Sequence, residues 1–270
     1  MTNQFGGSSG ILSEMTLDEV RAFQPEVVVM ALTSTEPHGP HLPYGTDFYI
    51  GDGVVREAVR RANRRNARVL MYPSLPVGNN VNFQAFPFAC RIGGRTYMDL
   101  LLDIIEALEQ DGIRKIVLVN SHGGNNDTVR AVLREHFGRH RPKSDTRAFV
   151  SFCGAVGMAA REAQGVIEHP SEHAGEKETS LMLHFQPALV RKEHFDCFPI
   201  RKPLLPELGD GRAHFVRAWE NYMPGSAGGE TRSCSAEKGR ILAEAAAEGL
   251  ADYLVRLSET PWTPDFPYAS

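Results

Sequence analysis

Four short runs of apolar, largely branched residues, separated by segments with helical periodicity, restrict this chain more than any other feature. The first, Val27–Leu32, is continuous Val-Val-Val-Met-Ala-Leu. Residues 69–72 and 116–119 are equally apolar, and 147–152 carries a fourth run. Strands that show no alternation are buried on both faces. The intervening segments 48–67, 97–110 and 127–137 place apolar residues at helical spacing. Strands alternating with helices indicate βαβ units, so the pattern predicts an α/β fold with a mostly parallel sheet. In such sheets ligands bind beyond the carboxyl ends of the strands.

Two loops at those ends carry chemistry. After Val27–Leu32 comes TSTEPHGPHLPYGTD (33–47), in which Glu36, His38 and Asp47 stand among prolines and glycines. Residues two apart on extended chain point the same way, so Glu36 and His38 can converge. Imidazole and carboxylate together suit a divalent zinc, manganese or iron ion. After the third strand comes Asn120-Ser121-His122-Gly123-Gly124-Asn125. Further along, HAGEKETSLML (173–183) offers His173, Glu176 and Glu178 ahead of a helical run. Five or six such ligands exceed what one tetrahedral ion takes. They suit two ions sharing a carboxylate, which would polarise a carbonyl and turn a bridging water into hydroxide. The segment 73–94, rich in Pro, Asn and Phe and without clear periodicity, is long enough to expect a functional loop.

The rest of the chain narrows the setting. The net charge of −4 and the lack of a basic block argue against nucleic acid as a partner. No apolar stretch approaches membrane-spanning length, and the four scattered cysteines form no CxxC pair, so a reduced, cytoplasmic protein is expected. No linker splits the chain; residues 1–270 are read as one domain, with the Gly/Ser-rich 1–10 flexible. Thr16 and Glu19 have capping-box spacing, a helix is expected over 212–219, and Ser235 caps a long helix to about 257.

Taken together and in order, 33–47, VLVNSHGGNN (117–126), 173–183 and, more weakly, SAEKGRIL (235–242) resemble the creatininase (creatinine amidohydrolase) superfamily over about residues 12–257. The resemblance implies a three-layer α/β/α sandwich, a divalent metal centre, hydrolysis of C–N amide bonds in a small cyclic, formyl or peptide-like substrate, and assembly into homohexamers. It also places metal ligands on Glu36, His38, Asp47 and His122, with Asp47 bridging, and a catalytic role on His173.

This chain departs from creatininase proper where that enzyme has a glutamate ligand two residues after the histidine; Gly124 stands there. Glu178 is assigned as the replacement ligand, and His173 or Glu176 as the proton shuttle. The pocket tryptophans of creatininase lack clear counterparts, since only Trp219 and Trp262 occur. Creatinine itself is therefore not the expected substrate. His41 reads as a supporting residue rather than a ligand, and Cys153 as packing. The competing function is a catalytically silent relative that keeps metal for structure or sensing.

Overall fold

The computed structural model describes residues 9–139, 147–159, 161, 165–263 and 265–268. Most of the segment expected to be flexible, residues 1–8, lies outside them. In chain order the main elements are α1 (Leu17–Phe23), β1 (Val27–Leu32), α2 (Thr46–Arg64), β2 (Val69–Leu75), α3 (Gly94–Gln110), β3 (Lys115–Asn120), α4 (Asn126–Arg139) and β4 (Phe149–Gly154). Then follow α5 (Glu176–Phe185), β5 (Cys197–Phe198), α6 (Pro206–Gly209), α7 (Trp219–Tyr222), β6 (Gly229–Glu230) and α8 (Ala236–Glu259).

The first four strands form one parallel sheet in the order β2-β1-β3-β4, as the apolar runs require. The pleat sorts their side chains between two cores. Val27, Val29, Ala31, Val117 and Val119 pack with α2 and α8. Val28, Met30, Leu32, Ile116 and Leu118 pack with α3 and α4 on the opposite face. The result is the α/β/α sandwich. Because β1 and β3 are adjacent and parallel, Leu32 pairs with Asn120, which brings the two His-bearing loops together.

β2 runs past residue 72, where its apolar pattern stops. Met30 pairs with Tyr72 but Leu32 with Leu75, so β2 spends one extra residue around Pro73. Proline has no N–H to give a ladder and is tolerated at an irregularity on an edge strand. Leu75 then accepts the backbone N–H of Thr33 at 3.1 Å and the Thr33 hydroxyl at 2.6 Å, which ties the end of β2 to the metal-type loop.

The predicted caps form: Thr16 and Glu19 make a capping box, and Ser235 Oγ accepts from the Lys238 N–H. Lys115, buried below the sheet, donates Nζ–H to the carbonyls of Leu257 and Thr260 and so closes the C-terminus of α8. The helix expected over 212–219 does not form. Phe215 and Val216 are exposed, so a helix there would have no apolar face to bury. Helix begins only at Trp219.

α5 rests on α8 with the two backbones in contact. A Cβ built on Gly239 would lie 1.8 Å from the Ser180 carbonyl oxygen. Gly239→Ala gains about 1 kcal/mol of helix propensity. It must also push two helices apart, since backbone cannot rotate away. We expect a net loss of about 1–3 kcal/mol, read as a lower urea midpoint at unchanged slope.

Candidate metal centre

The loop after β1 is held before any ion is considered. Glu36 N–H bonds to the Tyr44 carbonyl at 3.1 Å, and His38 bridges to Leu42. Between them Gly39 adopts φ +69°, with a would-be Cβ 2.8 Å from Ala227, so only glycine makes this turn. The loop ends where α2 begins, which puts Asp47 in the first turn of a long helix, where the dipole favours an anion.

Folding brings five of the candidate ligands into one cluster. Asp47 stands at its centre: Oδ1 is 3.6 Å from His38 Nε2 and Oδ2 is 3.2 Å from His122 Nδ1. Glu36 divides in the same manner, with Oε2 3.1 Å from His122 Nδ1 and Oε1 3.9 Å from His38 Nε2. Glu178 Oε2 approaches His38 Nε2 at 3.7 Å from the other side. Glu36, His38, Asp47 and His122 are each at most 4% exposed.

The cluster fits divalent ions on its own geometry. His38 Nε2 and Asp47 Oδ2 are buried without a hydrogen-bond partner. Ligand atoms about 2.0–2.2 Å from one ion sit about 3–4 Å from one another, the spacing seen here. Each histidine is also turned so that a lone pair faces inward. His38 Nδ1 lies 3.1 Å from the Glu36 carbonyl and His122 Nε2 lies 3.2 Å from the Asn79 carbonyl. A carbonyl only accepts, so these nitrogens carry the protons and the opposite ones are left to ligate.

The charges point the same way. Burial alone would lower His38, but Asp47, Glu178 and Glu36 override it and hold the imidazole up at about 9. His122 is also raised well above its ordinary value, by Glu36 and Asp47 against its burial. Asp47 is driven far below the carboxylate range: burial opposes this, and the two histidines outweigh it. The metal-free cluster thus takes up protons where cations belong.

His173 stands at the edge of the cluster, where it forms a further trio with Glu36 and His38 whose ligand atoms are close enough to share an ion. Its Nδ1 is 3.6 Å from Glu36 Oε1, and its ring centroid is 4.2 Å from that of His38. The Nε2–H is committed to the Pro37 carbonyl at 2.9 Å. Burial, and then the charge on His38, push its pKa below the ordinary histidine value.

Glu176 is a correction. Its carboxylate is fully buried against Lys238 Nζ at 2.6 Å and the backbone N–H groups of Glu168 and His169, so it anchors a loop and cannot shuttle protons in the site. On a helix, residues two apart face different ways, and only Glu178 turns toward the ligands.

Several contributors escape a reading of the sequence. Asn80 Nδ2 donates to Ser34 Oγ at 2.6 Å, and Ser34 in turn donates to Glu36 Oε2 at 3.2 Å. Asn79 orients His122, as above. The 73–94 segment thus reaches the cluster through its asparagines. Trp219 packs on Phe83 at 5.0 Å and on His173 at 5.3 Å, lining with them a cavity of about 420 Å³ that opens on the cluster. One of the two tryptophans, Trp219, thus lines the cavity. Cys153 packs in the α2/α8 core, where burial raises its thiol to about 11.

Comparison with known proteins agrees with this architecture. The family model Creatininase (creatinine amidohydrolase) matches residues 13–254. The chain is 30% identical over 262 residues to a mycofactocin precursor peptide peptidase of Mycobacterium ulcerans, covering 94% of this chain and 92% of that protein. It is 26% identical over 251 residues to a creatinine amidohydrolase of Pseudomonas putida, covering 84% and 87%. A crystal structure from Bacteroides fragilis, provisionally described as a creatinine amidohydrolase, superposes with a TM-score of 0.83 at 26% identity, covering 94% and 98%.

Proposed function

The chain belongs to the creatininase family, and on that premise we propose that it is a metal-dependent amidohydrolase. It would cleave a C–N bond in a cyclic amide, a formyl amide or a peptide. Peptide bonds are included because one relative is named a peptide peptidase. The observation that carries the proposal is the division of Asp47, one carboxylate oxygen toward His38 and the other toward His122. A buried carboxylate split in this way suits a bridge between two ions.

Asp47, Glu36 and His122 would hold one ion, and Asp47, His38 and Glu178 the other; each trio has ligand atoms close enough to share an ion. Zinc, manganese or ferrous iron would supply Lewis acidity toward the scissile carbonyl and acidify a water to serve as nucleophile. The remaining work falls to the chain. Burial holds His173 below the ordinary histidine value, its Nε2–H is pinned on Pro37, and its Nδ1 can take a proton and later give it to the leaving nitrogen. Phe83 and Trp219 close that side of the cavity, limiting water around the transfer.

The test is calorimetric titration of stripped protein with manganese or zinc, followed by assays for amine release. About two ions per chain should bind, with proton release, because His38 and His122 must give up protons to ligate. Apparent affinity should climb with pH up to about 9, the value of His38. The metal-free protein should show the opposite trend in stability. A histidine raised from 6.5 to about 9 contributes fully below about 6.5 and is lost as pH rises through about 9. Metal-dependent cleavage of cyclic amides, N-formyl amides or short peptides then establishes the reaction. Ion binding with every amide left intact would favour a silent metal-binding relative, and no binding at all would remove the centre.

A further inference from the structure

Ala174 carries the backbone of a glycine. Its φ is +51° and it is wholly buried, in a conformation L residues rarely adopt. Such a residue stays there only when its surroundings hold it.

The surroundings are specific. His41 Nε2 lies 3.0 Å from the Ala174 carbonyl and 3.0 Å from Thr179 Oγ1. Burial keeps His41 neutral, near 4, so its single proton must sit on Nε2 to meet that carbonyl. The Ala174 N–H is thereby aimed the other way and donates to Glu178 Oε2 at 2.6 Å. On the preceding residue, the His173 carbonyl accepts from Gly228 N–H at 3.0 Å. One left-handed residue thus separates the side chain that flanks the cluster from the backbone donor that orients a ligand. The other nitrogen of His41, Nδ1, is buried without a partner, and the ring stacks on Phe198 at 5.2 Å.

Resting on the two-ion reading above, we infer that His41 is a positioning residue: by holding the Ala174 carbonyl it locks the turn that aims Glu178 and His173 at the metals. It touches neither ion nor substrate. Its role is separable from simple packing, because the hydrogen bond and the ring stack can be removed independently.

His41→Phe keeps an aromatic ring on Phe198 and loses the N–H. His41→Gln keeps an N–H at a similar reach and loses the ring. Ala174→Gly, added to His41→Phe, lets the turn form with little steric cost. In His41→Phe the ion held by Asp47, His38 and Glu178 should show a Kd raised about 10–100-fold, the usual effect of losing a partner behind a ligand, while the other ion is unchanged. Amide exchange over 174–178 should quicken in the same variant without metal. His41→Gln should bind both ions nearly as the parent does, and the double variant should recover most of the lost affinity. Unchanged ion binding and exchange in His41→Phe would overturn the inference. So would a His41→Gln variant as impaired as His41→Phe, since packing would then be the role. If the parent protein binds no metal, the two-ion reading fails instead. The exchange of the metal-free variants still judges the turn.

Discussion

Asp47→Asn is expected to fold, to lose both ions and to hydrolyse substrate slower by a factor on the order of 10³ or more. The substitution is nearly isosteric but replaces one anionic oxygen by an NH₂ donor. Since Oδ1 faces His38 and Oδ2 faces His122, that donor must turn toward one ion site or the other. The remaining oxygen is no longer charged. The charge balance explains why both ions go. Glu36, Asp47 and Glu178 supply three negative charges against two dications; removing the shared one leaves each ion with a single carboxylate. Metal analysis, kcat/KM and circular dichroism on one preparation check this. Retention of both ions would show that Asp47 is no bridge.

Gly124→Glu should inactivate rather than repair. Creatininase proper carries its ligand glutamate at the matching position, so the exchange looks like a restoration. In this chain any Cβ at residue 124 would lie 2.4 Å from the Asn79 carbonyl oxygen and 2.4 Å from His122 Nε2. Those are the two atoms whose hydrogen bond turns His122 inward. A side chain there breaks that bond and displaces the ring, so Gly124→Ala should already cost about 10–100-fold in metal affinity. Gly123→Ala is the control, because nothing lies within 4 Å of its would-be Cβ. An active, metal-replete Gly124→Glu would mean that Asn79 and His122 can rearrange. On the proposed assignment, with residue 124 closed to side chains, the carboxylate would come from α5 as Glu178.

Much of this protein is readable from its amino acids alone. Val27–Leu32 is bounded as its apolar run is, because a strand buried on both faces leaves no polar residue inside it. The Thr16 and Ser235 caps form because they depend on residues three apart in the chain. The ligand types in 33–47 and at His122 are equally local, since parallel strands deliver their loops to one edge. Where local pattern was silent, expectation failed. The segment 212–219 has composition compatible with a helix but no surface to cover. Glu176 and Glu178 are equivalent in composition, and only the packing of α5 on α8 points one at Lys238 and the other at the ligands.

The sheet, the order of its layers and the chemistry of the loops follow from short-range periodicity and residue type. The pairing of Asp47 with both histidines, the closure of residue 124, the Trp219 wall and the left-handed Ala174 follow only from tertiary packing. Each depends on atoms brought within about 4 Å from distant parts of the chain, and separations of that kind are fixed by how whole layers pack, which no local pattern records.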